Sequence, residues 1–479
     1  MSKTIEELSR KFLGESGPGL KDLSQIESKI VPNLPRRESG TYSSRTDVDL
    51  SKLEILPEYK LSLELLKLPD SPPLFVTGEA GTGKSTFIHW LVYQLDKCAI
   101  VAPTSIAAIN VNGGTIHSFF SLPPKHIDPD ENFQLSSRNR LVIENLKYLI
   151  IDEVSMVSAN IIDVIDKILK TTLDSNLPFG GVRLIFVGDL YQLPPVVKSD
   201  EERTYFGHRY LTPYFFSADV FKTVKIYPVV LKQIHRQTDE EFKTALSCIR
   251  TGSEHRESVA LLNRQCFRGK QNIHNDDVCL VPTNAMSREI NIKKLNDIDA
   301  QEVIFNAIVT GRIPANKWSL AIPDRLHLKV GAKVVFMKNN IPNWINGSSG
   351  VVVEIIEDNI KVKLLKNDII VSVERETWEQ GEYTYNYATK KLESNVVATF
   401  TQYPLTLGWA ITIHKSQGMT LDPVSIDIGN RSFENGQCYV ALSRAKSLEG
   451  LKLMSPLHMS DIKVSPEINI FYQQLLASN

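Results

Sequence analysis

The residues Gly78-Glu79-Ala80-Gly81-Thr82-Gly83-Lys84-Ser85 satisfy every fixed position of the pattern G-x-x-x-x-G-K-[ST]. Such a loop suits a nucleoside triphosphate. Its glycines allow a tight path that turns backbone amides onto phosphate oxygens, and the helix that follows presents its positive end to the anion. Gly78, Ala80, Gly81, Thr82, Gly83, Lys84, Ser85 and Thr86 are the expected nucleotide contacts. Lys84 would neutralise the terminal phosphates, and the Ser85 hydroxyl would help complete the shell of a magnesium ion. Further on, Lys147-Tyr148-Leu149-Ile150-Ile151 ends in Asp152-Glu153. Behind a phosphate loop, Asp152 is expected to hold the metal, directly or through water, and Glu153 to orient and deprotonate an attacking water. The segment Gly188 to Val196 offers Gln192 a place near the terminal phosphate, with Tyr191 and Pro195 on the far side.

These groups need a scaffold that brings distant positions together. Short β-branched runs at Leu74–Thr77, Cys98–Ala102, Tyr148–Ile151 and Leu184–Val187 alternate with helical patterns, including one from Thr86 to Leu95. Continuous apolar strands separated by helices predict a parallel sheet covered on both faces. Ligands on such sheets collect at the carboxyl ends of the strands, where Gly78, Pro103-Thr104, Asp152-Glu153 and Gly188-Asp189 all fall. Leu122 to Arg140, rich in Pro, Asp, Ser and Asn, is poor helix material and reads as a small protruding insertion. A second strand and helix pattern starts near Val229. Closely spaced strands from Leu326 to Glu376, with turns at Asn346-Gly347 and Lys366-Asn367-Asp368, predict a small β-barrel inserted into that second unit. Residues 1–54 are expected to form a loosely ordered arm.

At 479 residues the chain exceeds one ordinary core, and 42% hydrophobic with 23% charged residues is a soluble globular balance. No apolar run approaches the roughly 20 residues that span a bilayer. The N-terminal stretch carries no leader signature, so an intracellular protein is expected: cytoplasmic, or nuclear or mitochondrial in a eukaryote. The five cysteines lie far apart without a C-x-x-C pair, which argues against a disulfide framework or zinc site. A formal net charge of -1 means that any nucleic-acid contact must come from a local groove rather than a strongly basic surface.

Several further segments carry a resemblance. Gly78 to Thr86; Pro103-Thr104 with Gly113-Gly114-Thr115-Ile116-His117; Asp152 to Val157; and Gly188 to Val196 look like successive helicase motifs. In the second half, Leu231 to Gln237, Leu407 to Thr420 and Tyr439 to Ala445 complete the series in order. Together they resemble the superfamily 1 type B helicases related to the petite-integration-frequency DNA helicase, from about residue 70 to 455.

The resemblance implies two tandem RecA-like α/β motor domains, at about 55–225 and 226–479, behind the arm at 1–54. It also implies a wedge insertion near 121–141 and an SH3-like β-barrel insertion near 305–400. It implies an ATP-dependent, magnesium-using DNA helicase that moves 5′ to 3′ on single-stranded DNA and acts at single/double-strand junctions. Four-stranded guanine structures are a further candidate substrate, and a monomer is expected. Arg236 and Arg444 would reach from the second domain to the terminal phosphate, where a guanidinium fork neutralises charge that builds up during phosphoryl transfer. Thr104, His117, Asn284, His414 and Ser416 would contact the sugar-phosphate backbone, with Pro195 against a base. The family's adenine-reading glutamine upstream of the phosphate loop has no counterpart in Glu58 to Ser71. Two rivals remain: a translocase or remodelling ATPase that does not separate strands, and a small-molecule kinase, for which two arginines and a second α/β unit have no use.

Overall fold

The computed structural model describes residues 53–123, 127–197, 199–269, 277–311, 322–338, 340, 343–344, 346–386, 391–429 and 434–477. The arm expected over 1–54 thus falls almost wholly outside the described residues. After helix α1 (Pro57–Lys67) come β1 (Leu74–Gly78), α2 (Lys84–Gln94), β2 (Cys98–Ala102), α3 (Ser105–Asn110), β3 (Gly114–Thr115) and α4 (Ile116–Phe119). Then follow α5 (Ser137–Glu144), β4 (Tyr148–Ile151), α6 (Ala159–Thr172), β5 (Arg183–Val187), α7 (Asp200–Arg209) and β6 (Tyr227–Leu231). The strands form one six-stranded parallel sheet in the order β3-β2-β4-β5-β1-β6.

Strand alternation gives each face its own core. Leu74, Val76, Ile100, Ile150 and Ile185 point to the side covered by α1 and α2, where they meet Tyr59, Leu66, Phe87 and Leu91. Phe75, Val101, Leu149, Ile151 and Phe186 point to the other side, under Ile162, Ile165 and Leu169 of α6. Every residue of β1 and β2 is buried, as strands covered on both faces require.

The expected boundary at 225/226 is corrected by β6. This strand pairs with β1 in parallel, Leu74 opposite Tyr227 through Gly78 opposite Leu231, so it closes the edge of the first sheet. Pro228 is tolerated there because an edge strand can lack one ladder donor. A second departure is helix α12 (Pro466–Ala477). It returns to the first lobe, where Ile468 and Leu475 join the core and Phe471 stacks on Phe216 with ring centroids 4.2 Å apart.

The second lobe is built on a four-stranded parallel sheet, β18-β7-β19-β20, of β7 (Val278–Val281), β18 (Ala410–Thr412), β19 (Val424–Ile426) and β20 (Leu451–Leu453). Helices α8 (Glu240–Thr251), α9 (His255–Cys266) and α11 (Gln437–Leu442) bury Phe242, Leu246, Leu262 and Tyr439 with it; α10 (Asn284–Asn296) follows β7. Between α10 and β18, the described residues of the insertion expected near 305–400 form three antiparallel sheets. One has five strands, β14 (Ile370–Val373), β13 (Asn359–Leu364), β12 (Ser349–Ile356), β11 (Lys333–Phe336) and β17 (Leu405–Leu407), in that order. The others pair β10 (Arg325–Leu328) with β8 (Val303–Asn306), and join β15 (Glu376–Asn386), β16 (Lys391–Gln402) and β9 (Ile308–Gly311). The long β15–β16 hairpin crosses to the first lobe and lies beside α5.

The segment expected as a wedge differs from expectation in two ways. Its end is helical, since Ser136 caps α5 by accepting from the Asn139 amide at 3.1 Å. Its middle is held down, because Leu122 and Ile127 are buried and Phe133 and Leu135 pack on the first core.

Candidate nucleotide site and cleft

The phosphate loop joins β1 to α2, the strand-loop-helix setting its sequence required. Gly81 and Gly83 adopt φ of +83° and +81°, a region that glycine enters without steric cost. A Cβ on Gly81 would stand 2.5 Å from Cβ of Arg236, so the loop's path and the approach of that arginine both depend on glycine. Lys84 Nζ donates to the carbonyls of Gly78 and Glu79, both at 2.9 Å. Ser85 and Thr86 occupy the first turn of α2.

Asp152 and Glu153 follow β4 at the same edge. Asp152 is buried; burial and then the neighbouring Glu153 carboxylate push its pKa up to about 8. Glu153 is also raised by burial, opposed chiefly by Lys84 and Arg444. Its backbone sits at φ +48°, sparsely populated for a residue with a side chain and of the kind that clusters at functional sites. Lys84 is lowered by burial, with Asp189 and Glu153 acting to hold its charge. Two acids and one lysine therefore share a desolvated pocket in which Lys84 favours the charge of both acids, while Glu153 disfavours that of Asp152.

Both expected arginines face this pocket, but they arrive by different routes. Because β6 belongs to the first sheet, Arg236 lies on the segment just after it, docked on the phosphate loop by the His235 amide donating to Gly81 O at 2.9 Å. The expectation that Arg236 comes from the second domain is corrected accordingly. Its Nη1 donates across to Ser443 O at 3.1 Å, beside Gln237, whose Nε2 donates to Ser443 O and Ala445 O at 3.2 and 3.1 Å. Arg444 does come from the second lobe, just after α11. It is 2% exposed, and burial followed by the nearby Arg236 lowers its pKa to about 9, which leaves it cationic at neutral pH. Its donors are largely engaged: Nε with Val440 O, Nη1 with Ser416 O and Met419 O, and Nη2 with Ser443 Oγ. Of five N–H groups, four are used within its own lobe.

Further groups, all but Gln192 not singled out by the sequence, complete the junction. Tyr439, buried in α11, accepts the Ala80 amide of the phosphate loop at 2.9 Å. Ser247 of α8 donates to the Glu79 carboxylate at 3.0 Å. Gly436, at the start of α11, approaches the carbonyls of Tyr191 and Gln192 so closely that a Cβ would stand 2.4 Å from each. Arg250, in the last turn of α8, grips the fully buried Asp189 with Nε–Oδ1 and Nε–Oδ2 at 3.1 Å and Nη2–Oδ1 at 2.8 Å. Gln192, buried, directs Nε2 at Asp189 Oδ2 at 3.5 Å. No local pattern announces an interaction between residues 61 positions apart; the only hint in the sequence was the strand-end position of Asp189.

The residues expected to grip a strand divide into two groups. Thr104 and His117, half-buried, follow β2 and β3, and Asn284, exposed, opens α10 after β7. His414 follows β18, with Nε2 3.1 Å from the Glu434 carboxylate. These four lie at the carboxyl ends of the strands. Ser416 and Pro195 depart from expectation because both are buried. The Ser416 hydroxyl donates to Ile413 O at 2.7 Å while its own carbonyl receives Arg444, so this residue braces the arginine instead of facing solvent.

Comparison with known proteins places this geometry in a family. Residues 63–259 match the model of the PIF1-like helicases, and 383–470 match a helicase model. An ATP-dependent DNA helicase Pif1 of Bdellovibrio bacteriovorus is 33% identical over 435 residues, covering 88% of this chain and 92% of that relative. A Bacteroides Pif1 crystal structure in complex with ADP-AlF4 covers 89% of this chain and 98% of its own, with 32% identity and a TM-score of 0.82. A Bacteroides Pif1 structure bound to single-stranded DNA has 33% identity, the same coverage and a TM-score of 0.64.

Proposed function

The chain belongs to the PIF1-like helicase family, and from that premise we propose that this ATP-dependent DNA helicase moves 5′ to 3′ on single-stranded DNA and separates the duplex ahead of it. The observation that carries the reading is the convergence of Lys84, Glu153, Arg236 and Arg444 at one inter-lobe pocket. Lys84 exchanges the Gly78 and Glu79 carbonyls for the terminal phosphates of ATP. Glu153 accepts a proton from the attacking water; burial raises its pKa, and Lys84, Arg444 and Arg236 oppose that rise. Arg236 neutralises charge on the leaving diphosphate and transferred phosphoryl, joined by the Arg444 N–H that has no partner among the described residues of its own lobe. Gln192 senses the terminal phosphate.

Ser85 and Asp152 are the groups that would hold a magnesium ion, and they fit one. A hydroxyl and a carboxylate are hard oxygen donors, and a divalent cation would favour the ionised form of an Asp152 whose burial otherwise retains its proton. Among the described residues no group of three or more His, Cys, Asp and Glu side chains converges, so the remaining ligands would be phosphate oxygens and water. When bound, the ion supplies charge neutralisation between the outer phosphates.

Because Arg444 belongs to the second lobe and the phosphate loop to the first, hydrolysis requires a closed cleft and product release permits opening. Thr104 and His117 on one lobe, and Asn284 and His414 on the other, would then grip the strand backbone in alternation. Translocation without strand separation is the second reading, favoured by Phe133 packing on the core instead of projecting as a wedge. Strand displacement on duplexes carrying a 5′ or a 3′ single-stranded tail tests both. Unwinding of the 5′-tailed substrate alone is expected. Unwinding only from a 3′ tail overturns the polarity, and DNA-stimulated ATP hydrolysis without unwinding of either substrate establishes the second reading.

A further inference from the structure

The geometry points to Arg250 as a positioning residue for ATP hydrolysis: from the second lobe it clamps Asp189 beside the phosphate pocket, and through Asp189 it fixes Gln192 for the closed, hydrolysing state. This inference rests on the pocket assignment above and adds to it a third cation that crosses the cleft without touching nucleotide.

Three observations carry it. First, the contact is a fork with two nitrogens and two oxygens, at 2.8 to 3.1 Å, in which Asp189 is completely buried and the Arg250 side chain is 12% exposed. A buried ion pair of this kind fixes geometry far more firmly than a surface pair, because loss of either partner strands the other charge. Second, Asp189 belongs to the segment of Gln192: the Asp189 carbonyl receives the Gln192 backbone amide at 2.9 Å, and Gln192 Nε2 faces Oδ2 of the Asp189 carboxylate at 3.5 Å. Third, Arg250 lies over the Tyr191 ring, with its guanidinium carbon 4.5 Å from the centroid, and Tyr191 in turn stacks on Tyr472 at 5.1 Å and 2°. Tyr472 bonds Thr77 Oγ1, just before the phosphate loop, at 2.8 Å. The arginine of one lobe is thereby seated on a platform built from β1, the Gln192 segment and α12.

An electrostatic consequence follows from the same placement. Asp189 lies close enough to Lys84 to act on its charge, and Arg250 opposes that influence. With Arg250 withdrawn, Asp189 is an uncompensated anion that draws Lys84 away from phosphate and repels the charge arriving in the transition state. With Arg250 in place the carboxylate is neutralised, and its oxygens are left as a fixed acceptor for Gln192. Cleft closure thus delivers Arg444 to the substrate and Arg250 to the group that orients Gln192.

The test compares ADP with ADP–aluminium fluoride, a mimic of the transferring phosphoryl, on the full chain with magnesium and single-stranded DNA. Arg250→Met and Asp189→Asn are each expected to reduce the mimic's affinity advantage over ADP at least about tenfold and to lower kcat by a similar factor, with ADP affinity within about twofold of wild type. Combining them should cost no more than the worse single change, and Arg250→Lys should recover part of the loss. A pair that merely stabilises the fold would leave the mimic-to-ADP ratio untouched, and that result overturns the inference, as do losses that multiply in the double variant. If Arg250→Met is insoluble, the ratio in Arg250→Lys and Asp189→Asn decides in the same way. Lys84→Ala in parallel separates the two levels: turnover by Lys84→Ala sinks the pocket itself, whereas an inactive Lys84→Ala beside an unaffected Arg250→Met sinks only the role given to Arg250.

Discussion

Arg236→Met and Arg444→Met should both stop ATP turnover, yet they should differ sharply in stability. Arg444 is 2% exposed and makes four hydrogen bonds, to Val440 O at 3.0 Å, Ser416 O at 3.2 Å, Met419 O at 3.4 Å and Ser443 Oγ at 2.8 Å. Arg236 is half-buried and makes one of comparable quality, to Ser443 O at 3.1 Å. At about 1 kcal/mol net for each bond, the gross losses are about 4 and about 1 kcal/mol. Relief from holding a desolvated cation offsets part of the larger figure, leaving about 2–3 kcal/mol for Arg444→Met. In a unit of 150–250 residues, 1 kcal/mol moves the melting temperature by about 2–4 °C, so Arg444→Met should melt about 4–12 °C lower and Arg236→Met no more than about 4 °C lower. Thermal melts read alongside single-stranded-DNA-stimulated ATPase rates provide the measurement. Equal melting temperatures for the two variants, or an Arg444→Met that gains stability, would refute the inference that Arg444 is a structural post with one spare donor.

Lys84→Ala and Glu153→Gln should each abolish turnover, and Glu153→Gln should still bind nucleotide in an equilibrium titration; loss of binding would move Glu153 from water activation to a binding role. Asp152 carries a pH signature. Its folded pKa, about 8, lies above the ordinary 3.8, so its contribution to stability is complete below pH 3.8 and is lost as pH rises through 8. Between pH 6 and 8 the protein without nucleotide should lose up to about 2–3 kcal/mol from this group, and Asp152→Asn should flatten that slope in urea unfolding; an unchanged slope would assign the loss elsewhere.

The strands that carry the site were legible because a fully covered parallel strand must be continuously apolar: Cys98–Ala102 and Tyr148–Ile151 occur as read, and Leu74–Thr77 and Leu184–Val187 are each one residue longer. The phosphate loop and Asp152-Glu153 were legible because their chemistry is local, a few residues long and tied to a strand end. What escaped was partnership across the cleft. Arg250 looks like an ordinary basic residue in the last turn of α8, and only the folded chain brings it to Asp189. Tyr439 reads as one more apolar position of a short helix until its hydroxyl meets the Ala80 amide. The lobe boundary was misplaced because β6, with alternating exposure and a proline, has the texture of a new unit although its hydrogen bonds belong to the old one. Ser416 was assigned outward because the family resemblance implied a backbone contact at that position, whereas the turn after β18 consumes its hydroxyl internally.

Helix α12 sets an order on assembly. Phe75 and Thr77, on the strand that leads into the phosphate loop, receive Phe471 and Tyr472 as neighbours, the latter through a bond spanning 395 positions. A nascent chain therefore translates the entire second lobe, insertion included, before the first lobe can seal its core, and loop closure over such a distance is slow to win against competing contacts. Until that helix emerges from the ribosome, the aromatic floor around Phe75, Phe215 and Phe216 stays open to chaperones, and the lobe made first is the one finished late.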